Sequence, residues 1–393
     1  MNYLILLAFA CATTALAATY HLDPASGRLE NDGSPEKPWP ALEQVIKAGL
    51  IQARDTSGEL FHPAGPIRAG DRLRLRDGYH GNILLNGYHF PTSLVVEAEA
   101  GQHPRLARVM LRGGSHWVFS GLDISPAYAP TTDKATIFSA LPHDKYGPAS
   151  WISVEHCRIS SNPTGAVWTT TNEWLEQACD GITLDGDHCR AVSNTVRLVA
   201  WGIQLGGVSN YAGYNLIEHF RGDGLRTMNH YEVAEYNTIR NAYLVDENHM
   251  DGIQGFFRRK PGREVRGVVI RGNVITRHEN REAPLVSPYL QGIGFFDGPF
   301  VDCIFENNTV TADSHHGLSV YNAIRCRIIG NTIQGDPGQT AADQARIVLG
   351  CKSAYGTEVR DNQIISNRCD RLIVAPEATN TLIEGNTVGG QSR

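Results

Sequence analysis

The chain lacks an excess of basic residues, because its 35 Lys and Arg are outnumbered by 41 Asp and Glu. The resulting net charge of -6 argues against a nucleic-acid-binding protein, which usually presents a basic face. An anionic polymer is still an acceptable partner, since a local cluster of Arg and Lys is enough to bind one. The chain also has no Cys-x-x-Cys pair and its cysteines are irregularly spaced, so no disulfide framework is predicted.

Long apolar runs are absent beyond the N-terminus. Residues 1–17, MNYLILLAFACATTALA, form one such run, which ends in the small-x-small triplet Ala15-Leu16-Ala17. The pattern is typical of a secretory signal peptide cleaved after Ala17. The run is too short to span a membrane comfortably. We therefore expect a secreted or periplasmic protein without a membrane span, in which residues 18–393 are the mature chain.

The most regular feature of the sequence is a recurring asparagine followed by apolar or β-branched residues. The shortest spacings, 21 and 22 residues, give the length of one bare repeat. We expect the side chains of these asparagines to stack on one another: Asn162, Asn194, Asn215, Asn237, Asn273, Asn308, Asn331, Asn362 and Asn386. In four repeats a cysteine stands five residues earlier, and the segment between alternates like a half-buried strand. We interpret these cysteines as stacked interior residues rather than disulfides: Cys157, Cys189, Cys303 and Cys326.

A second column has the form x-Gly-Ile or x-Gly-Leu, as in AWGIQ, GDGLR, MDGIQ and HHGLS. Two short strands per repeat, with turns between them, predict a solenoid that stacks coil on coil. The pattern resembles the pectate-lyase-like superfamily of right-handed parallel β-helices with an internal asparagine ladder. The resemblance implies one all-β domain over residues 18–393, with a capping helix from about Trp39 to Leu50. It leaves the activity open, because this superfamily contains lyases, hydrolases, epimerases and non-catalytic spikes.

Aligning the second column predicts which side chains are neighbours on successive coils. The residues before the glycine are Asp180, Trp201, Asp223, Asp251, Gln291 and His316. Three places further on, strand alternation should point the side chains outward: Thr183, Gln204, Arg226, Gln254, Gly294 and Ser319. Asp223 and Asp251 should lie on adjacent rungs, about 5 Å apart. Close carboxylates shift each other's pKa, so this pair is a candidate for catalysis or for a metal site.

Insertions indicate where a binding groove lies. The link between an asparagine and the next strand has 7 or 8 residues in bare repeats, but 14 before Asp251 and 18 before Gln291. A further insertion, GFFRRKPGREVRG, follows the MDGIQ strand. Long loops on a regular solenoid commonly form the walls of a groove. We expect the catalytic residues Asp223, Asp251, Arg226, His249 and His316 to face it, with the substrate bound by Gln254, Trp201, Arg258, Lys260 and Tyr289.

Two reaction schemes fit this arrangement. In a lyase, Ca²⁺ or Arg and Gln side chains neutralise a uronate carboxylate, a base removes the C5 proton, and the 4-linked sugar leaves by β-elimination. Asp223 and Asp251 would then hold Ca²⁺ or orient the cationic side chains, and Arg226, His249 or Lys260 would be the base. In a glycoside hydrolase the two aspartates would be acid and base, at a spacing that suits retention.

The basic residues of the predicted groove favour a polysaccharide lyase acting on an acidic, uronate-containing polysaccharide. A glycoside hydrolase, a uronan C5-epimerase and a non-catalytic polysaccharide-binding β-helix remain alternatives. The order of GDGL, MDGI and HHGL also resembles family-28-type polygalacturonases, and this is the reason for including His316 among the catalytic candidates. The Asp-Asp pair and the Arg-Ile-Lys segment of that family are absent here.

Overall fold

A computed structural model describes residues 17–130, 133–258, 260, 262–277, 279, 286, 289–335, 344–389 and 391–392. Except for Ala17, the predicted signal peptide lies outside the described residues. No helix within the described ranges is long and apolar enough to cross a membrane.

The chain winds into a coil of short parallel strands that stack on three faces. The first face carries the x-Gly-Ile/Leu column, and its inward Ile and Leu side chains lie in register from coil to coil. The two longest strands, Asn82–Ala98 and Arg108–Ser120, cross from the first face to the second. The other strands of the first face are Phe138–Leu141, Ile182–Leu184, Ile203–Leu205, Leu225–Thr227, Asp251–Phe256, Gln291–Asp297, His316–Tyr321, Arg346–Gly350 and Arg371–Val374.

The second and third faces complete each coil. The second face consists of Thr19–Leu22, Arg72–Leu75, Ala149–Glu155, Arg190–Val192, Tyr211–Gly213, Val233–Glu235, Val269–Arg271, Ile304–Glu306, Arg327–Ile329, Gln363–Ile365 and Leu382–Glu384. The third consists of Gly78–Tyr79, Pro104–Leu106, Asp123–Ile124, Arg158–Ser160, Thr195–Val199, Leu216–Phe220, Thr238–Ala242, Val274–Thr276, Thr309–Thr311, Thr332–Gln334, Arg368–Cys369, Thr387–Val388 and the antiparallel Gln391–Ser392. A short sheet at one corner contains Val265–Arg266, Phe300–Val301 and Ala323–Ile324, and a hairpin near the N-terminus contains Ala53–Arg54 and Leu60–Phe61.

The N-terminal helix, Leu42–Lys47, is shorter than the predicted Trp39–Leu50. It buries Leu42 and Val45. Gly49 ends it, since its φ of +70° is a left-handed conformation that favours glycine. A 3-10 turn at Pro126–Tyr128 and a second helix, Thr171–Gln177, lie in the connections between strands.

The asparagine ladder forms, but two of its predicted members are wrong. Asn331 donates its amide to Asn367 Oδ1 at 2.9 Å, and Asn367 donates to Asn386 at 2.9 Å, so Asn367 replaces the predicted Asn362. Asn362 lies at another corner and bonds to the backbone there. Asn162 bonds within its own turn instead of joining the ladder. The remaining members bond from side chain to side chain at 2.9–3.0 Å: Asn194, Asn215, Asn237, Asn273, Asn308 and Asn331.

The prediction of interior cysteines is confirmed, because Cys157, Cys189, Cys303 and Cys326 are free and buried. Cys157 occupies a different column from the others. Its backbone N–H donates to Asn194 Oδ1 at 3.0 Å, so it lies at one end of the asparagine ladder.

Candidate active site

The two predicted columns form on the first face. The backbone N–H of Gly224 donates to the Asp251 carbonyl at 2.9 Å, which places Asp223 and Asp251 on adjacent coils. Asp251 pairs with Gln291 on the coil after that. The outer column has the expected register partners: Thr183, Gln204, Arg226, Gln254, Gly294 and Ser319.

The first face becomes wider at these coils. The strands Ile203–Leu205 and Leu225–Thr227 have three residues each. Asp251–Phe256 and His316–Tyr321 have six, and Gln291–Asp297 has seven. The extra residues add side chains to the outer surface beyond the predicted columns.

Asp223 is buried and fully engaged. Its Oδ1 accepts the backbone N–H of Asp251 at 2.9 Å, and its Oδ2 accepts the Nε–H of Arg226 at 2.6 Å. Burial raises the pKa of Asp223, and the Arg226 charge opposes this. Asp223 therefore fixes the start of the strand that carries Asp251.

Asp251 is 0% exposed, and its carboxyl group contacts two side chains that are nearer the surface. Its Oδ2 lies 3.1 Å from His249 Nδ1 and accepts the amide of Gln254 at 3.2 Å. The pKa of Asp251 is raised to about 7, chiefly by burial; the Asp223 charge adds to the rise, and the hydrogen bond with His249 opposes it. This carboxyl therefore exchanges its proton near neutral pH.

His249 is half-exposed at a cleft of about 360 Å³. The hydrogen bond to Asp251 raises the pKa of His249. Its Nε2 makes no hydrogen bond with any residue in the described ranges. The cleft is lined by His249, Gln254, Gln291, Phe296, Asp297, His316, Tyr321 and Lys352.

His316 lines the same cleft as a neutral ring. Burial, together with the nearby positive charges of His315 and Arg346, lowers the pKa of His316 to about 4. Its Nδ1 lies 3.0 Å from Ser319 Oγ, and its ring packs edge-on against Phe296 with centroids 4.9 Å apart. His316 thus suits hydrogen bonding at neutral pH better than charge stabilisation.

Trp201 and Arg226 lie beside the cleft rather than in it. The Arg226 guanidinium covers the Trp201 ring at 3.5 Å from its centroid, a close cation–π contact. A Cβ at Gly222 would lie 2.2 Å from Trp201 Cε3, so the backbone also packs against the indole. The predicted sugar platform at Trp201 is therefore covered on one ring face by Arg226, whose side chain is only 17% exposed.

Of the predicted substrate-binding residues, Gln254 lines the cleft. Tyr289 is partly buried and accepts a long hydrogen bond, 3.5 Å, from Gln291. Arg258 lies beyond the strand Asp251–Phe256 and forms an ion pair with Asp185, three coils earlier. Lys260 is exposed, and neither it nor Arg258 lines the cleft.

Gln291 was predicted only as a member of the inner column, and four further lining residues were not predicted at all: Phe296, Asp297, Tyr321 and Lys352. The first three lie near the ends of the long strands Gln291–Asp297 and His316–Tyr321. The predicted columns were counted at fixed positions relative to the repeat glycine and do not include these residues. Lys352 follows Arg346–Gly350 and pairs with Asp297 at 2.9 Å. The aromatic segment FFDGPF directly after QGIG is the sequence signal that could have indicated them.

No protein-family profile and no curated protein matches the chain. Among solved structures, XylC in complex with xylose is similar with a TM-score of 0.52 and 9% identity, over 94% of this chain and 83% of that one. The chain is a parallel β-helix. The A-module of mannuronan C-5 epimerase AlgE6 from Azotobacter vinelandii has a TM-score of 0.47 and 12% identity, over 83% of this chain and 92% of that one. A lacto-N-biosidase from Eubacterium ramulus has a TM-score of 0.44 and 12% identity, over 93% of this chain and 68% of that one. At 9% identity the likeness to XylC shows the fold alone, and together with the stacked parallel strands it confirms the predicted parallel β-helix.

This β-helix offers few ligands for the predicted Ca²⁺. No group of three or more His, Cys, Asp or Glu side chains in the described ranges is arranged to hold a metal ion. Both oxygens of Asp223 and one of Asp251 already accept hydrogen bonds. Because Ca²⁺ takes six to eight oxygen ligands, this pair does not fit such a site, and we assign no step to a metal.

Proposed function

We propose that this protein is a carbohydrate-active enzyme that cleaves an acidic, uronate-containing polysaccharide by β-elimination. The observation that carries the proposal is the hydrogen bond between His249, at the edge of the cleft, and the buried carboxyl of Asp251. It supplies a positioned base at the cleft, and the contact with Asp251 raises the pKa of His249 above the ordinary histidine value.

His249 is the base in this scheme. With its Nδ1–H donated to Asp251 Oδ2, the Nε2 lone pair is available to take the C5 proton of a bound uronate. Asp251 positions the ring and stabilises the imidazolium that forms, as a buried carboxylate does for other catalytic histidines.

Gln254, Lys352 and Tyr321 complete the reaction. The second amide N–H of Gln254 and the Lys352 ammonium stabilise the uronate carboxylate as C5 loses its proton. The C5–H electron pair becomes the C4=C5 bond while the C4–O4 bond breaks. Tyr321 gives its hydroxyl proton to the departing O4, and exchange with solvent restores both Tyr321 and His249.

Hydrolysis is less well supported, because Asp223 and Asp251 are 1% and 0% exposed and neither lines the cleft. The carboxylate that does line it, Asp297, is paired with Lys352. C5 epimerisation is the second candidate, since Tyr321 provides a second proton donor in the same cleft and could return a proton to C5.

Incubation with alginate, pectate and glucuronan tests the proposal. Proton abstraction followed by elimination leaves an unsaturated sugar that absorbs at roughly 235 nm. New reducing ends without this absorbance would point to hydrolysis. Changed C5 configuration by NMR without cleavage would point to an epimerase, and binding without any product would point to an adhesive protein.

We also propose that the protein is exported, on the basis of the apolar run at residues 1–17. N-terminal sequencing of protein recovered from the medium or the periplasm should give Ala18 as the first residue. Recovery from the cytoplasm with Met1 intact would contradict this.

A further inference from the structure

The outer column of the first face is interrupted at Gly294. A Cβ there would lie 2.6 Å from Asp251 Oδ1 and 2.4 Å from Phe296 Cε2. The φ of Gly294 is outside the left-handed region, so the backbone conformation does not require glycine, but the space does. The Phe296 ring occupies the position where a side chain at residue 294 would lie, and we call this position, together with its neighbours Asp251, Gln291 and Phe296, the Gly294 notch.

Two hydrogen-bond acceptors at the notch are left without a donor. Asp251 Oδ1 and Gln291 Oε1 are buried and accept no hydrogen bond from the residues that the structure describes. The two residues are partners on adjacent coils, which lie about 4.8 Å apart. Burying an acceptor without a donor is unfavourable, so a ligand that brought two donors would be bound favourably here.

The ring of Phe296 lies beside Asp251 Oδ1, and Phe296 and Gln291 both line the cleft. It lies against Gly294 in place of a side chain, and it is partly buried where it lines the cleft. An aromatic ring beside hydrogen-bond acceptors is a common arrangement for an amphipathic ligand, because the ring contacts the apolar face while the acceptors bind polar groups. A sugar ring with free hydroxyl groups has this chemistry, whereas a carboxylate would offer the two acceptors no donor.

We propose, building on the function above, that the Gly294 notch binds two adjacent hydroxyl groups of a sugar ring, which donate to Asp251 Oδ1 and Gln291 Oε1 after the Phe296 ring turns aside. The notch then selects polymers whose neighbouring hydroxyls are free over polymers in which they are esterified. Phe296 packs against the C–H face of the same sugar.

Kinetics on the best-cleaved polymer, and on the same polymer chemically O-acetylated, test this. The wild type should show kcat/KM at least tenfold higher on the free-hydroxyl form. Gly294→Ala fills the notch, so KM for the free form should rise about tenfold and the preference should fall toward one. Gly213→Ala is the matched control: its Cβ would lie 2.2 Å from the Tyr211 hydroxyl two residues away, on the second face, and it should keep wild-type kinetics.

Gln291→Met removes one acceptor with little change in volume, so it should lower the preference even if Gly294→Ala does not fold. If either folded variant kept the wild-type preference for the free-hydroxyl polymer over the acetylated one, the inference would be overturned. The proposed β-elimination would not be affected. If the wild type cleaves no uronan, calorimetric binding of the free and acetylated polymers decides the inference separately. Equal binding of both forms by the wild type would then overturn it.

Discussion

His249 and Asp251 divide one proton-transfer task between a half-exposed ring and a buried carboxyl. Their contact raises the pKa of His249, whereas burial raises the pKa of Asp251. Each residue therefore has a separate, measurable consequence, one for activity and one for stability.

His249→Gln should lower kcat by at least about 100-fold, the usual contribution of a general base. The fold should be retained, because the ring is half-exposed. The assay is the initial rate of unsaturated product, with His103→Gln on an exposed N-terminal coil as the matched control. Activity within threefold of the wild type would exclude His249 as the base.

Asp251 should make the folded protein less stable as pH rises. Its pKa is about 7 when folded and 3.8 ordinarily, so between about pH 4 and 7 the folded state binds more protons than the unfolded state. The free energy of unfolding should fall across this window by on the order of 4 kcal/mol at most. His249 acts in the same direction, because its raised pKa stabilises the fold at low pH and this stabilisation is lost as pH rises through that pKa.

Asp251→Asn removes the titrating carboxyl and should flatten the dependence on pH. Denaturant unfolding at several pH values between 4 and 8 measures it, with Asp297→Asn as the control at a more exposed carboxyl. If the free energy of unfolding of Asp251→Asn changed with pH as steeply as that of the wild type, Asp251 would not be the source of the pH dependence.

Periodicity made Asp223, Asp251 and Gln254 predictable as neighbours, because rung spacing follows directly from the repeat. It could not show that both carboxyls are buried, since burial depends on Arg226, Trp201 and the loops around them. In the hydrolase scheme the roles of acid and base were consequently predicted for Asp223 and Asp251, whose carboxyl groups are buried.

The asparagine ladder is the element on which the coil register depends. Asn273 donates to Asn308 and to the Ala234 carbonyl, and it accepts from both the backbone and the side chain of Asn237. Asn273→Ala leaves buried donors unpaired, at about 1–3 kcal/mol each.

We therefore expect Asn273→Ala to lower the free energy of unfolding by about 2–4 kcal/mol, measured by chemical denaturation. Asn162→Ala, in a surface turn outside the ladder, should change it by less than about 1 kcal/mol. Equal effects of the two substitutions would mean that the ladder does not stabilise the fold.

Strand periodicity predicted the coils well where every coil has the same length, and less well where it does not. DNQI around Asn362 carries the expected pattern, yet Asn367 in SNRC precedes the third-face strand Arg368–Cys369 and so joins the ladder. The wide strands Gln291–Asp297 and His316–Tyr321 added Phe296 and Tyr321 to the cleft for the same reason. The local amino-acid sequence does not show how far a strand extends when its length is determined by the strands on adjacent coils.

The β-helix holds its coils together without disulfides in the described ranges. Six of the seven free cysteines are buried, and Cys351 is half-buried. With protein produced from Ala18, a thiol reagent should modify about one cysteine in the native state and all seven after denaturation. The melting temperature should be the same with and without reductant. Fewer than seven thiols after denaturation without reductant would reveal a disulfide.

The residues that line the cleft come from successive coils that are 25 to 40 residues apart in the chain. Each of these coils is linked to the next by the same kind of asparagine side-chain hydrogen bond. Duplication or deletion of one complete coil between two ladder asparagines would preserve the fold and move one wall of the cleft by a single rung. Substrate preference can therefore change in steps of one strand spacing, through recombination, without any point mutation in the site.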